Sequence, residues 1–236
     1  MTEYEEIRRR ATPQVWSSRT YAKIFCIGFN KTGTTSLEFV LKTLGFRLPN
    51  LLEQLLRLVK QTGQGNFRPL VDFVAQYDAF QDNPFSQGML YAQVDALFPG
   101  SKFILTTRDP EDWYQSYCRY ACLFFRVDSV KDITKSFLLS ERFAPLDYVN
   151  YRILRKHALD LQGDRAVENW EMLYDKDRMI DIYRHRNEQI VKYFVDRPAD
   201  LLLLDVAREK DVSRILDFLG LPPSLSFPFP QLNKSK

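Results

Sequence analysis

The stretch FCIGFNKTGTTS, residues 25–36, joins an apolar run to a polar loop and then to an apolar pattern at helical spacing. A strand, a glycine-bearing loop and a helix N-terminus make an anion site. Main-chain N–H groups converge there, and the helix dipole adds partial positive charge. Lys31 supplies a full positive charge, and Thr34, Thr35 and Ser36 supply hydroxyl donors. The nucleoside-triphosphatase pattern G-x-x-x-x-G-K-[ST] is missed: Gly28 and Gly33 have its spacing, but Thr34 holds the lysine position. The dinucleotide pattern G-x-G-x-x-G is absent too. The loop reads as an anion cradle whose lysine precedes its second glycine, with an ordinary strand–helix turn as the alternative.

A second stretch, FILTTRDPEDWYQSY (103–117), sets Arg108 at a strand end and Ser116 inside the helix that follows. Asp109 as helix cap and Pro110 as first helical residue explain two of its features. They leave Arg108 and Ser116 without a purpose. A third stretch, AFQDNPF (79–85), has Asp82 and Asn83 ahead of Pro84, residue types that cap a helix. The two histidines, His157 and His185, fall in predicted helices among basic residues and read as surface or packing residues.

The elements that must position these residues alternate in type. Strands are predicted at 23–29, 77–82, 102–107 and 200–206. Helices are predicted at 34–46, 51–63, from Pro84 to about Phe98, from Pro110, at 175–195 and at 210–223. Buried-type strands alternating with helices imply an α/β fold of three layers, a mainly parallel central sheet with helices on both faces. Residues 1–20 read as an N-terminal arm and 121–174 as a mostly helical, aromatic-rich region within one domain spanning 1–236. Phe124, Phe125, Phe137, Phe143, Tyr148 and Tyr151 are candidates there for either core packing or an apolar pocket.

Composition narrows the function classes. The 236 residues carry 33 basic and 30 acidic side chains for a net charge of +3, too balanced for nucleic acid to be the expected partner. Cys26, Cys118 and Cys122 show no metal-ligand spacing, and a reducing compartment is the expectation from them. The N-terminal residues lack the apolar core of a signal peptide, and no run reaches the ~20 apolar residues of a membrane span. A cytoplasmic location is expected.

Taken together, NKTGTTS (30–36) resembles the 5′-phosphosulfate loop of the PAPS-dependent sulfotransferases, usually Pro-Lys-Ser-Gly-Thr-Thr. Asn30 and Thr32 depart from it mildly. The second stretch is similar to that family's other nucleotide motif, a strand, Arg-x-Pro and a helical serine. RNEQIVKYFVDRPADLLLLDV, DFLGLP and FPFPQLNKS look like the tail of its microbial-type branch. The resemblance implies a P-loop-like fold and 3′-phosphoadenosine 5′-phosphosulfate (PAPS) as co-substrate, with no metal. Lys31, Thr32, Gly33, Thr34, Thr35 and Ser36 would hold the phosphosulfate, and Arg108 and Ser116 the 3′-phosphate, with Asn233 or Lys234 as a further contact. Lys31 would steady the leaving phosphate. Many family members use a histidine base after the second core strand; Asp82 stands where it would be, so the resemblance implies Asp82 as base. The acceptor would be a small molecule or a glycan, with a hydroxyl or an amine. The rivals are a P-loop kinase or hydrolase, using Asp82 or Asp205 for Mg²⁺, and a catalytically silent binding module on the same fold.

Overall fold

The computed structural model describes residues 2–18, 20–140, 151 and 153–232. Its centre is a four-stranded parallel sheet in the order β2-β1-β3-β6, made by β1 (Ile24–Cys26), β2 (Ala79–Gln81), β3 (Lys102–Thr106) and β6 (Leu201–Leu204). Phe25 lies level with Phe80 on one side and Phe103 on the other. Its ring stacks on both, at 5.3 and 5.6 Å. Short runs without polar alternation form these strands because both faces are covered. Only β6, at the sheet edge, departs, with Leu203 exposed.

On one face Ile24, Cys26, Ile104 and Leu204 pack with Val40 and Leu41 of α2 (Thr34–Thr43) and Leu216 of α9 (Ser213–Leu219). The N-terminal arm is a helix, α1 (Glu3–Ser18), whose Ile7 and Ala11 join that core. On the other face Phe25, Phe80, Phe103 and Leu105 meet α4 (Arg68–Val74), α5 (Leu90–Leu97) and the end of α8 (Lys176–Tyr193). α3 (Leu51–Gly63), capped by Asn50 Oδ1 on Leu52 N–H at 2.9 Å, packs against α4. The expected three-layer α/β architecture is the one observed.

Two expectations change. The helix foreseen from Pro84 begins only at Leu90, because residues 82–89 turn back on themselves, with Ser86 N–H donating to Asp82 O. The 121–174 region is not mostly helical among its described residues. α6 (Pro110–Phe125) and α7 (Lys135–Leu138) give way to an antiparallel hairpin of β4 (Leu159–Gln162) and β5 (Arg165–Glu168). Gly163, at φ 61°, makes its turn in a left-handed conformation that costs glycine little. Glu168 then gathers Lys135, Arg155 and Trp170 Nε1–H, tying α7 to the hairpin. Among the described residues no helix is long and apolar enough to cross a membrane.

Candidate active site

The carboxyl ends of all four sheet strands empty into one cavity of about 760 Å³. Lys31 follows β1, Asp82 follows β2, Arg108 follows β3 and Asp205 follows β6, and each of them lines it. Parallel strands make this possible, since their loops at one end all lie on the same side.

The first loop is shaped by close approach. A Cβ on Gly28 would stand 2.1 Å from Thr106 Oγ1, so only glycine lets β1 run this close to β3. Gly33 has φ 96°, and a Cβ there would fall 2.7 Å from Val206 Cβ. As N-cap of α2 it brings no side chain to the first-turn N–H groups. Lys31 itself is left-handed at φ 70°, a cost tolerated where a loop is built for a ligand. Burial and the charges of Arg108 and Arg119 lower the Lys31 pKa, while Asp82 opposes them. Its ammonium also lies 4.7 Å from the Tyr120 ring centroid.

Thr34, Thr35 and Ser36 line the cavity as expected. Thr32 does so less fully: its hydroxyl donates to Phe29 O and meets Thr106 Oγ1 at 2.6 Å. That hydrogen is used inside the chain, which leaves Thr32 its main chain for any ligand. Ser36 Oγ accepts from Leu232 N–H at 3.1 Å, drawing the C-terminal segment over the start of α2. Asn233 and Lys234 lie outside the described residues.

Arg108 and Ser116 share the cavity, Ser116 being buried on α6. Asp109 caps that helix through Oδ1, accepting from Glu111 and Asp112 N–H at 2.9 and 3.1 Å, with Pro110 at its start, as the sequence implies. A device not legible in the motifs holds Arg108 in place. Tyr183 Oη accepts from Arg108 N–H at 2.9 Å and donates to Arg108 O at 3.0 Å. Trp113 stacks on Tyr183 at 4.4 Å and donates Nε1–H to Asn30 O at 3.0 Å. One aromatic pair thus braces both loops. Arg186, buried on α8, donates to Ile27 O and to Gly88 O, joining the end of β1 to the Asp82 loop.

Asp82 is buried, with φ 62°. It does not cap the helix. Asn83 takes over the turn through its Oδ1, which accepts from Ser86 Oγ–H at 3.1 Å and from Gln87. Asp82 Oδ1 accepts from Asn83 N–H at 2.8 Å, and Oδ2 faces Thr34 Oγ1 at 3.5 Å. Burial pushes its pKa up to about 6, with the nearby Glu38 charge adding to the rise, against those two hydrogen bonds and Lys31. A carboxylate so placed can accept a proton near neutral pH.

Neither histidine lines the cavity. His157 is buried and pushed down to about 3 by burial and by Lys156 and Arg178; His185 is exposed, with Gln189. Asp205 is engaged by Arg208 at 3.1 Å and by Ala207 N–H. Among the described residues no group of three or more His, Cys, Asp or Glu gathers as a metal site would require. Sequence reading missed Arg119, a third cation on the cavity wall; its place three residues after Ser116, on the same helix face, was the available signal.

A family model for the sulfotransferase domain matches residues 23–236. The chain belongs to the sulfotransferase family. No curated protein matches it in sequence. Sulfuryl transfer is the general activity of this family, and the sulfotransferase has its cavity where the two loops expected to bind an anion converge.

Proposed function

We propose that this sulfotransferase moves a sulfuryl group from PAPS to an acceptor by in-line transfer. The observation that carries the reading is that Lys31 and Arg108 line one cavity, close enough for the Arg108 charge to add to burial in lowering the Lys31 pKa. Two cations facing one cavity repel, and an anion bound between them offsets that repulsion. A nucleotide with phosphates at both its 3′ and 5′ ends supplies that anion. The N–H groups at the start of α2, with the hydroxyls of Thr34, Thr35 and Ser36, suit the 5′-phosphosulfate. Arg108, whose planar fork matches phosphate oxygens, and Ser116 suit the 3′-phosphate.

PAPS supplies the sulfuryl group and adenosine 3′,5′-bisphosphate as leaving group. Lys31 opposes the negative charge that grows on the leaving phosphate oxygen. Asp82, ionised, takes the proton from the acceptor as its heteroatom bonds to sulfur. The brace of Trp113 and Tyr183 keeps both loops in register, so orientation is set before the substrates meet.

The test is calorimetric titration with adenosine 3′,5′-bisphosphate and with ATP–Mg²⁺, repeated on Arg108→Ala, alongside transfer from labelled PAPS. Micromolar bisphosphate binding, weakened at least tenfold in Arg108→Ala, is expected. Binding of ATP–Mg²⁺ alone would turn the assignment to a phosphoryl-transfer enzyme, and bisphosphate binding without turnover on any acceptor would leave a binding module.

A further inference from the structure

The cavity has two unlike halves. One holds the cations and hydroxyls of the loops. The other is walled by Leu51, Leu52 and Leu55 of α3 and by Tyr117, Tyr120 and Phe124 of α6. Along α6, Ser116, Tyr120 and Phe124 recur every fourth residue, so a single helix face runs from the polar half into the apolar one. Leu52, Tyr120 and Phe124 keep 50, 39 and 36% of their surface exposed. Exposed apolar residues scattered singly need no explanation, but these three line the same cavity.

The aromatic wall begins at the reacting groups. Tyr120 lies against the Lys31 ammonium, and burial, with a smaller contribution from the charge of Asp82, raises the pKa of both Tyr117 and Tyr120. Two of the oxygens near this wall are already engaged: Asn50 Oδ1 caps α3, and Asn83 Oδ1 serves its own turn. A sugar drawn between the leucines and the aromatic rings would lose ~1–3 kcal/mol for each hydroxyl left without a partner.

We infer that the acceptor is a phenol whose aromatic ring lies between the leucines of α3 and the aromatic stripe of α6, with its hydroxyl toward Asp82. This inference rests on the PAPS reading above. In the transfer the phenolic oxygen bonds to sulfur, the bond from sulfur to the 5′-phosphate oxygen breaks, and the phenolic proton passes to Asp82. The acidity match agrees. A carboxyl pushed up to about 6 stands ~4 units below a phenol near 10, whereas an alcohol as weakly acidic as water, near 16, lies ~10 units away. Phe125 packs edge-on against Phe137 at 5.9 Å, and Tyr151 stacks on Trp170 at 5.7 Å, so those neighbours support the wall. Phe143 and Tyr148 lie outside the described residues.

The experiment measures initial rates with PAPS fixed and 2-naphthol, cyclohexylmethanol, glucose or a tyrosine-containing peptide as acceptor. Bisphosphate affinity is measured separately. The expected result is a kcat/KM for 2-naphthol at least a hundredfold above those for cyclohexylmethanol and glucose. Phe124→Ser, at a half-open position that can accept serine, is expected to raise the KM for 2-naphthol about tenfold and leave bisphosphate affinity unchanged. Transfer to the peptide in preference to 2-naphthol would keep the phenol chemistry and move its source to a protein side chain. Preference for glucose or cyclohexylmethanol would overturn the phenol and leave the donor reading standing, whereas no transfer to any acceptor while the bisphosphate still binds would overturn the phenol and leave a binding module. Loss of bisphosphate binding itself would overturn both.

Discussion

Replacing Asp82 by asparagine tests the mechanism at its most exposed point. The substitution preserves shape. Asn Oδ1 still accepts from Asn83 N–H, and asparagine tolerates the φ of 62° at least as well as aspartate. The ability to take a proton is lost, together with the buried negative charge that opposes the lowering of the Lys31 pKa. General-base removal costs about 10²–10⁴ in rate, so kcat falls by that factor while bisphosphate affinity stays within about twofold. The wild-type rate carries its own mark. With a carboxyl pKa of about 6, the ionised fraction falls from about nine-tenths at pH 7 to about a tenth at pH 5, an eight- to tenfold loss of kcat/KM.

Stability moves the other way. The folded-state pKa lies above the unfolded value near 3.8, so the folded chain binds the extra proton between pH 4 and 6. The stability present below pH 4 is therefore lost as pH rises through 6. A shift of this size is worth roughly 3 kcal/mol. Asp82→Asn, free of that penalty, should melt on the order of 5–10 °C higher at pH 7 and lack the wild-type loss of stability between pH 4 and 6. Steady-state kinetics from pH 5 to 8 and thermal melts over pH 4 to 7 read both effects. A variant that keeps kcat within about threefold of wild type, or a wild-type profile with no limb near pH 6, would refute the assignment of Asp82 as base.

Tyr183→Phe removes both hydrogen bonds to the Arg108 main chain. It should cost about 1–3 kcal/mol and raise the KM for PAPS more than it lowers kcat, as melts and donor-saturation curves would show. Trp113→Phe keeps a ring against Tyr183 but drops the bond to Asn30 O; a loss of about 1 kcal/mol and a several-fold weaker bisphosphate Kd are expected by titration. Gly33→Ala meets Val206 and a left-handed φ together, and should destabilise by more than about 1 kcal/mol with bisphosphate binding abolished, checked by melting and calorimetry.

Much of the fold was legible because its strands are short apolar runs bounded by Gly, Pro and polar residues, and its helices carry ordinary signals such as Asp109-Pro110 and Asn50. The hairpin was missed although LDLQ alternates and leads through a two-residue Gly-Asp turn into RAVE. The surrounding aromatics made that alternation look like helix. Asp82 shows the limit in the other direction. Asp-Asn-Pro reads equally as a cap or as a buried carboxylate, and local spacing cannot choose between them. Asn83 taking over the turn decides it.

The sequence by itself determined the chemistry available at three of the strand ends: a glycine loop with Lys31 and three hydroxyl residues, an arginine at 108 with a helical serine after it, and a carboxylate at 82. These are local matters of residue type and spacing, written in contiguous stretches. Only the tertiary structure decided that all of them open into one cavity, that Tyr183 and Trp113 brace its two loops, and that the α6 stripe and the α3 leucines line the same cavity. Those facts depend on strand order and on contacts between residues far apart in the chain. The charge and burial that tune Lys31 and Asp82 come into being only when the chain closes around them.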